Sequence, residues 1–350
     1  MKLDRMSLAS FAGRSTAYSL TILMADLTLY AVMVAGTISA EGTGIRLLFS
    51  LGAGTMIALA AIAGHDAGHQ SFSSSKSLNR ICGTLAFLPA LHPFSLWEHH
   101  HNRVHHRFTA QLGLDNAYPP MTVDDYRSAP RWQQLKYRFF RSAWGQPFFY
   151  LVEVWLFDMW LPFLKTSPQL TRRNWFDIAL VYLYLSGFIA LTTLLTLPHA
   201  SGSMIQALLQ ALTFSFLLPF LVWNAFISFL SVVQHTAPDV KWIKPTGQPS
   251  TATQALEGTV HVRFPDFLDR VLHRIMQHQA HHIHVGVPLQ NLTAAQKEVA
   301  EANANKLVIA WTPKYHLEMT RRCKLYDPGS NSWATFEEAL TTRDQVRKAA

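Results

Sequence analysis

Three short windows carry most of the histidines of this chain: His65-Asp-Ala-Gly-His69, His99-His100-His101-Asn-Arg-Val-His105-His106 and His278-Gln-Ala-His281-His282. There are 17 histidines and only 2 cysteines. Imidazole is a ligand for iron, copper, nickel and zinc, and rings three or four residues apart share one helical face. Such a stripe made three times can hold more than one ion.

The spacing selects the ligands. His65 and His69 lie four apart where an apolar run ends, with Asp66 between them as a group that can orient a ring. In the second window five imidazoles cannot point to one place from one helix, so His101, His105 and His106 are taken as ligands. His99 and His100 are left as surface or supporting residues. His278, His281 and His282 stand at i, i+3 and i+4, adjacent on one turn. His235 ends the last apolar run at the same depth as His65 and joins the set. His92, His261, His273, His284 and His316 read as packing or solvated residues. Nine imidazoles are too many for one ion, so two metals are expected. Zinc would be satisfied with three or four ligands, and ligand type alone leaves copper open. Soluble di-iron proteins repeat Glu-x-x-His; here only Glu98-His-His-His101 fits that spacing, which disfavours a carboxylate-bridged plan. No His-Glu-x-x-His motif, P-loop, Gly-x-Gly-x-x-Gly fingerprint or Gly-x-Ser-x-Gly elbow occurs.

The elements that must position these rings are membrane helices. The 350 residues are 49% hydrophobic and 15% charged, with a mean hydropathy of +0.09, against roughly 25% charged residues in ordinary soluble domains. Four stretches are long and apolar enough to cross a hydrocarbon layer of roughly 30 Å: 18–39, 47–64, 175–197 and 205–233. Asp26 in the first directs one face toward protein, and Gly52 and Gly54 in the second permit close helix packing. The shorter segments 81–96 and 148–164 are expected at the interface, and Arg131 to Arg141 suits a helix on anionic headgroups or a plain surface helix. No cleavable signal sequence is expected. Two cysteines, Cys82 and Cys323, imply a reduced setting rather than a disulfide framework.

Lysine and arginine set the orientation. Three precede the first span (Lys2, Arg5, Arg14), Arg46 is alone in the first hairpin loop, and none lies between spans three and four. Twelve lie between spans two and three and fourteen follow span four. Both hairpins therefore enter from the cytosol, both termini stay there, and 16 of the 17 histidines share that side. The net charge of +8 follows this topology, so no nucleic acid partner is expected. The fold class expected is an all-α membrane protein, with four transmembrane helices in two hairpins and a cytosolic helical cap holding a di-metal site. One domain would cover 1–350, with the cap at 65–174 and 234–320 and a polar tail at 321–350.

The order His-x-x-x-His, His-Asn-x-x-His-His, His-x-x-His-His, interleaved with two membrane hairpins, resembles the membrane fatty acid desaturase superfamily. His65-Asp-Ala-Gly-His-Gln-Ser-Phe72, Leu91-His-Pro-Phe-Ser-Leu-Trp97, Gln234-His-Thr-Ala-Pro-Asp-Val-Lys-Trp242 and His281-His-Ile-His-Val-Gly-Val-Pro-Leu-Gln-Asn-Leu292 are similar to its bacterial Δ12/ω6-like branch. Ala110 and His284 depart from the usual pattern. The resemblance implies two non-haem irons held by His65, His69, His101, His105, His106, His235, His278, His281 and His282. It also implies O₂ as co-substrate, a fatty acyl substrate, and a separate electron donor of ferredoxin, cytochrome b5 or rubredoxin type. The setting implied is the inner membrane. A fatty acid desaturase is the reading. A decarboxylase forming 1-alkenes, a terminal desaturase or acetylenase on carrier-bound chains, and an alkane or fatty acid hydroxylase are the alternatives on the same scaffold.

Overall fold

The computed structural model describes residues 5–164, 170–302 and 307–339. Lys2, the expected cap stretches 165–169 and 303–306, and residues 340–350 of the expected tail lie outside the described residues. The chain is an all-α membrane protein, and among the described residues strands are confined to two small two-stranded sheets. It divides into two compact units, 14–100 with 150–227, and 1–13 with 101–149 and 228–350.

The first of these is built on helices long and apolar enough to span a membrane: Thr16–Ser39, Thr43–Gly68, Arg172–Ala200 and Met204–His235, whose last turns run on into the other unit. Each starts where a polar side chain takes up free backbone N–H groups or a glycine turns the chain. Ser15 caps the first, Gly42 at φ +85° precedes the second, Thr171 and Asn174 form a capping box on the third, and Ser203 caps the fourth. The second helix is longer at both ends than its apolar run suggested. Glycine lets it approach its neighbours: a side chain at Gly36 would strike Phe49, and one at Gly54 would strike Val222 and the Pro219 carbonyl. Asp26 is buried. The 81–96 segment becomes the helix Lys76–Phe87, a break, and the helix Phe94–His99. Asp177 accepts the Ser95 N–H at 2.9 Å, fixing the start of that second piece. The 148–164 segment forms a wide π-helix, Tyr150–Trp160.

The other unit is a set of short helices. Arg131–Phe140, His278–Ile283, Leu292–Ala302 and Pro313–Arg322 are the ones that matter here. His261–Arg263 pairs in parallel with Val308–Ala310, and Leu325–Asp327 pairs antiparallel with Ser332–Ala334. Leu325 and Tyr326, in the segment expected as a polar tail, are fully buried beside Tyr126 and Ala339 or against Trp333.

Candidate metal centre

The second histidine window is not an α-helix. After Phe94–His99 the chain widens into a π-helix over His100–His105, and the His106 N–H bonds the His101 carbonyl at 2.9 Å, a five-residue step. On an α-helix, positions five apart point about 140° away from each other. The wider turn removes that offset, and the Nε2 atoms of His101 and His106 lie 3.0 Å apart. Spacing i, i+4, i+5 on a π turn thus does what i, i+3, i+4 does on the α-helical third window. Wide turns of this kind recur at functional sites.

Seven of the nine expected ligands gather in the unit that carries this turn. His105, His235, His278 and His282 are all buried, and one ligand atom of each lies within 4.8 Å of the others. The Nε2 atoms of His278 and His235 are 2.9 Å apart and those of His105 and His282 are 3.2 Å apart. Beside them His106 sits between His101 and His281, with its Nε2 3.1 Å from that of His281. The His106 and His282 ring centres are 4.3 Å apart, so the two sets adjoin. In the membrane unit, His65 stands in the last turn of the second span and His69 caps it. Their Nε2 atoms face each other at 3.3 Å, and the His65 ring packs edge-on against Trp97.

Two partners that the sequence did not single out orient the buried rings. The Nδ1–H of His105 donates to Asp115 at 2.7 Å, and the carboxylate also accepts the N–H groups of Ala110 and Ala117. Thr109 gives its hydroxyl proton to the His105 carbonyl at 3.0 Å, so its oxygen accepts from the Nδ1–H of His282 at 3.1 Å. Thr109 follows His105 by four residues, a helical spacing that could have marked it. Asp115 lies beyond a bend at Gly113, φ +73°, and carries no periodic signal. Asp66, expected to orient a ring, has its carboxylate 4.0 Å from His65 Nδ1, too far for a hydrogen bond. Glu98 pairs with Arg173 at 2.9 Å, His92 bonds the Ala90 carbonyl and the Tyr150 hydroxyl, and His316 bonds Gln146.

The third window is held by amides. Gln296 accepts the Ala280 N–H at 2.9 Å and donates to Gln279, which in turn donates to the carbonyls of Leu256 and Thr259. All of these side chains are buried.

The electrostatics suit a cation. Burial, then the neighbouring imidazoles, hold His282 well below the ordinary histidine value, so its ring is neutral. Burial pushes the Asp115 carboxyl up, but His105 and His235 and the Ala117 N–H outweigh it and leave it below the usual carboxylate value. With its Nδ1 proton given to Thr109, the neutral His282 turns a bare Nε2 lone pair toward the Nε2 of His105 at 3.2 Å. Nitrogens about 2.1 Å from one ion at right angles are about 3.0 Å apart, so the spacing fits a shared transition metal.

Comparison with known proteins agrees with this chemistry. Residues 44–313 match the fatty acid desaturase family. The chain is 30% identical over 286 residues to an sn-1 oleoyl-lipid 12-desaturase of Synechocystis sp., covering 81% of this chain and 76% of that one. It is 28% identical over 288 residues to the protein of the same name from Picosynechococcus sp., covering 79% and 76%. With the chloroplastic omega-6 fatty acid desaturase of Glycine max it shares 32% identity over 278 residues, covering 78% of this chain and 61% of the plant protein. A match of that length, carried through the histidine windows and into the membrane helices, makes the chain a member of the fatty acid desaturase family, a membrane oxidoreductase acting on fatty acyl chains.

Proposed function

We propose that the protein introduces an internal double bond into a lipid-bound fatty acyl chain, using two iron ions and O₂. The observation that carries this is the buried group of His105, His235, His278 and His282, which brings one ligand nitrogen from each ring within 4.8 Å of the others. These four would hold one iron. His101, His106 and His281, joined by His65 and His69 from the end of the second span, would hold the other. Imidazoles in this number suit iron better than zinc, which three or four would already satisfy. Bound iron supplies the redox chemistry that activates O₂ toward an unactivated C–H bond.

The chain's own residues do the rest. Asp115 and Thr109 keep His105 and His282 in the tautomer that presents Nε2, and the Gln279–Gln296 amides fix the turn that carries three ligands. The balance requires two hydrogens from the acyl chain, with two electrons and two protons from outside, to take O₂ to two waters. A separate donor of ferredoxin, cytochrome b5 or rubredoxin type would deliver those electrons. The names of the cyanobacterial relatives support an oleoyl-lipid substrate. The lysine and arginine distribution supports an inner-membrane protein with both termini and the centre cytosolic. A single desaturase domain would then cover 1–350, its cap drawn from 65–174 and 234–320.

Expression in a host of defined fatty acid content, followed by lipid and volatile profiling, tests the reading. An internal double bond, lost in His105→Ala and His281→Ala, is the expected result. A 1-alkene with release of CO₂, or an alcohol, would reassign the reaction, and purified protein free of iron would remove its basis.

A further inference from the structure

Tyr150 and His92 are buried together in the membrane-spanning unit, outside the three histidine windows. The Nδ1 of His92 lies 2.7 Å from the Ala90 carbonyl, which can only accept, so Nδ1 carries the proton of the neutral ring. Its Nε2 is then a bare lone pair, and the Tyr150 hydroxyl 2.9 Å away donates to it. The turn that aims the ring is pinned. Leu91 takes φ +54°, Trp155 donates its indole N–H to the Leu91 carbonyl at 3.1 Å, and the His92 N–H bonds the Phe87 carbonyl at 3.1 Å. A non-glycine residue kept in that conformation marks a position its surroundings enforce.

Aromatic rings run from this pair to the expected ligand His65. Phe87 meets His92 at 5.9 Å between ring centres, Trp97 meets Phe87 at 4.4 Å, and His65 meets Trp97 at 5.8 Å. Trp223 stands edge-on to both Tyr150 and His92, at 6.3 and 5.7 Å. Glycine brings the line against the helix that carries His65: a side chain at Gly64 would crowd Phe87, and one at Gly68 would strike Trp97. Tyrosine and tryptophan are the readily oxidised aromatic side chains. A phenol gives up an electron most easily when a base takes its proton at the same time, because an oxidised phenol is a very strong acid. Even an imidazole whose basicity is reduced by burial accepts that proton.

We infer that Tyr150 and His92 form a redox-active pair, which supplies electrons to the metal centre when O₂ is activated with no acyl chain in reach. The inference rests on the di-iron, O₂-using reading. Tyr150 loses one electron to the unspent oxidising equivalents of O₂ and its hydroxyl proton to the Nε2 of His92. The O–H bond breaks, an N–H bond forms, and a neutral tyrosyl radical faces an imidazolium. One electron from the external donor, with return of the proton to the phenol oxygen, resets the pair. Two such cycles supply the two electrons that the acyl chain would have given, and with protons from solvent O₂ still ends as two waters. Oxidation is thereby drawn away from the ligand rings.

Freeze-quench electron paramagnetic resonance tests the pair. Iron-loaded protein in detergent, reduced with dithionite and given no fatty acid, is mixed with O₂. A radical should form whose spectrum narrows when the protein carries ring-deuterated tyrosine, and whose exchangeable proton coupling disappears in D₂O. Tyr150→Phe should abolish it, whereas Tyr18→Phe, at an exposed tyrosine, should leave it unchanged. His92→Gln should slow its formation by about a hundredfold, the lower end of what a positioned base contributes to a proton transfer. Oxidation of Trp97 per O₂ consumed, read by peptide mass spectrometry, should rise in Tyr150→Phe. If the variants do not accumulate, the deuterium labelling of the unaltered chain still decides between a tyrosyl radical and any other. O₂ uptake with no tyrosine-derived radical, or a radical that persists in Tyr150→Phe, would overturn the inference. Reduced, iron-loaded protein that takes up no O₂ at all would instead overturn the functional reading beneath it.

Discussion

His105 gives its Nδ1 proton to Asp115, ten residues further along the chain, across 2.7 Å. The other carboxylate oxygen accepts the Ala110 N–H, also at 2.7 Å. Clamped from both sides, Asp115 locks one ring of the four-histidine group with its Nε2 inward. Loss of such a partner typically costs tenfold to a hundredfold in metal affinity or activity. Asp115→Ala should therefore lower both by about that factor, with Asp115→Asn in between. The metal-to-protein ratio after dialysis, together with product yield, is the measurement. Full metal content in Asp115→Ala would contradict the role.

Thr109 does the corresponding work for His282. Thr109→Val keeps the shape but leaves a buried N–H without an acceptor, at a cost of about 1–3 kcal/mol. The expected outcome is a lower unfolding midpoint in detergent and weaker metal retention, with both restored in Thr109→Ser. A Ser variant no better than Val would assign the effect to packing instead of the hydroxyl.

The Gln296 side chain is fully buried and serves the Ala280 N–H and the Gln279 side chain at once. Gln296→Leu should remove about 1–3 kcal/mol of stability by orphaning those groups. Metal content should fall as well, since Ala280 lies in the same turn as His278, His281 and His282. Thermal unfolding with and without added iron checks it: added metal should narrow, but not close, the gap to the unaltered protein.

Burial holds the His92 imidazole down at about 4, against the opposing pull of the Ala90 carbonyl. The unfolded chain takes up this proton near the ordinary value of about 6.5, before the folded protein does. Stability is thus complete above about pH 6.5 and declines as pH falls toward 4, by up to about 1.4 kcal/mol per unit from this group. His92→Gln should flatten the acid side of a stability-versus-pH curve in detergent by that slope. Parallel curves for the two proteins would show that His92 does not titrate as its burial implies.

The grouping of the histidines was legible because imidazole has few structural uses in such density, and seven of the nine expected rings do gather in one unit. Helix ends were less legible: the second span continues to Gly68 because Ala67 and Gly68 extend the helix past the apolar stretch. The π turn at His100–His105 left no trace, since a five-residue step has no residue preference of its own. Asp115 stayed hidden for another reason. Its partnership with His105 depends on the path of a loop, whereas the Asp66 carboxylate, adjacent to a candidate ligand in sequence, stays 4.0 Å from the Nδ1 of His65. Sequence proximity was a poor guide to which carboxylate meets which ring.

The four-histidine group joins His105 to His282, 177 positions downstream. Synthesis delivers the former long before the latter, with two membrane passages in between. No nascent chain that stops short of His282 owns all four nitrogens, so a metal held by this group would be loaded only after both of those passages have been made. Protein made without metal would then be open to rescue by metal without new translation.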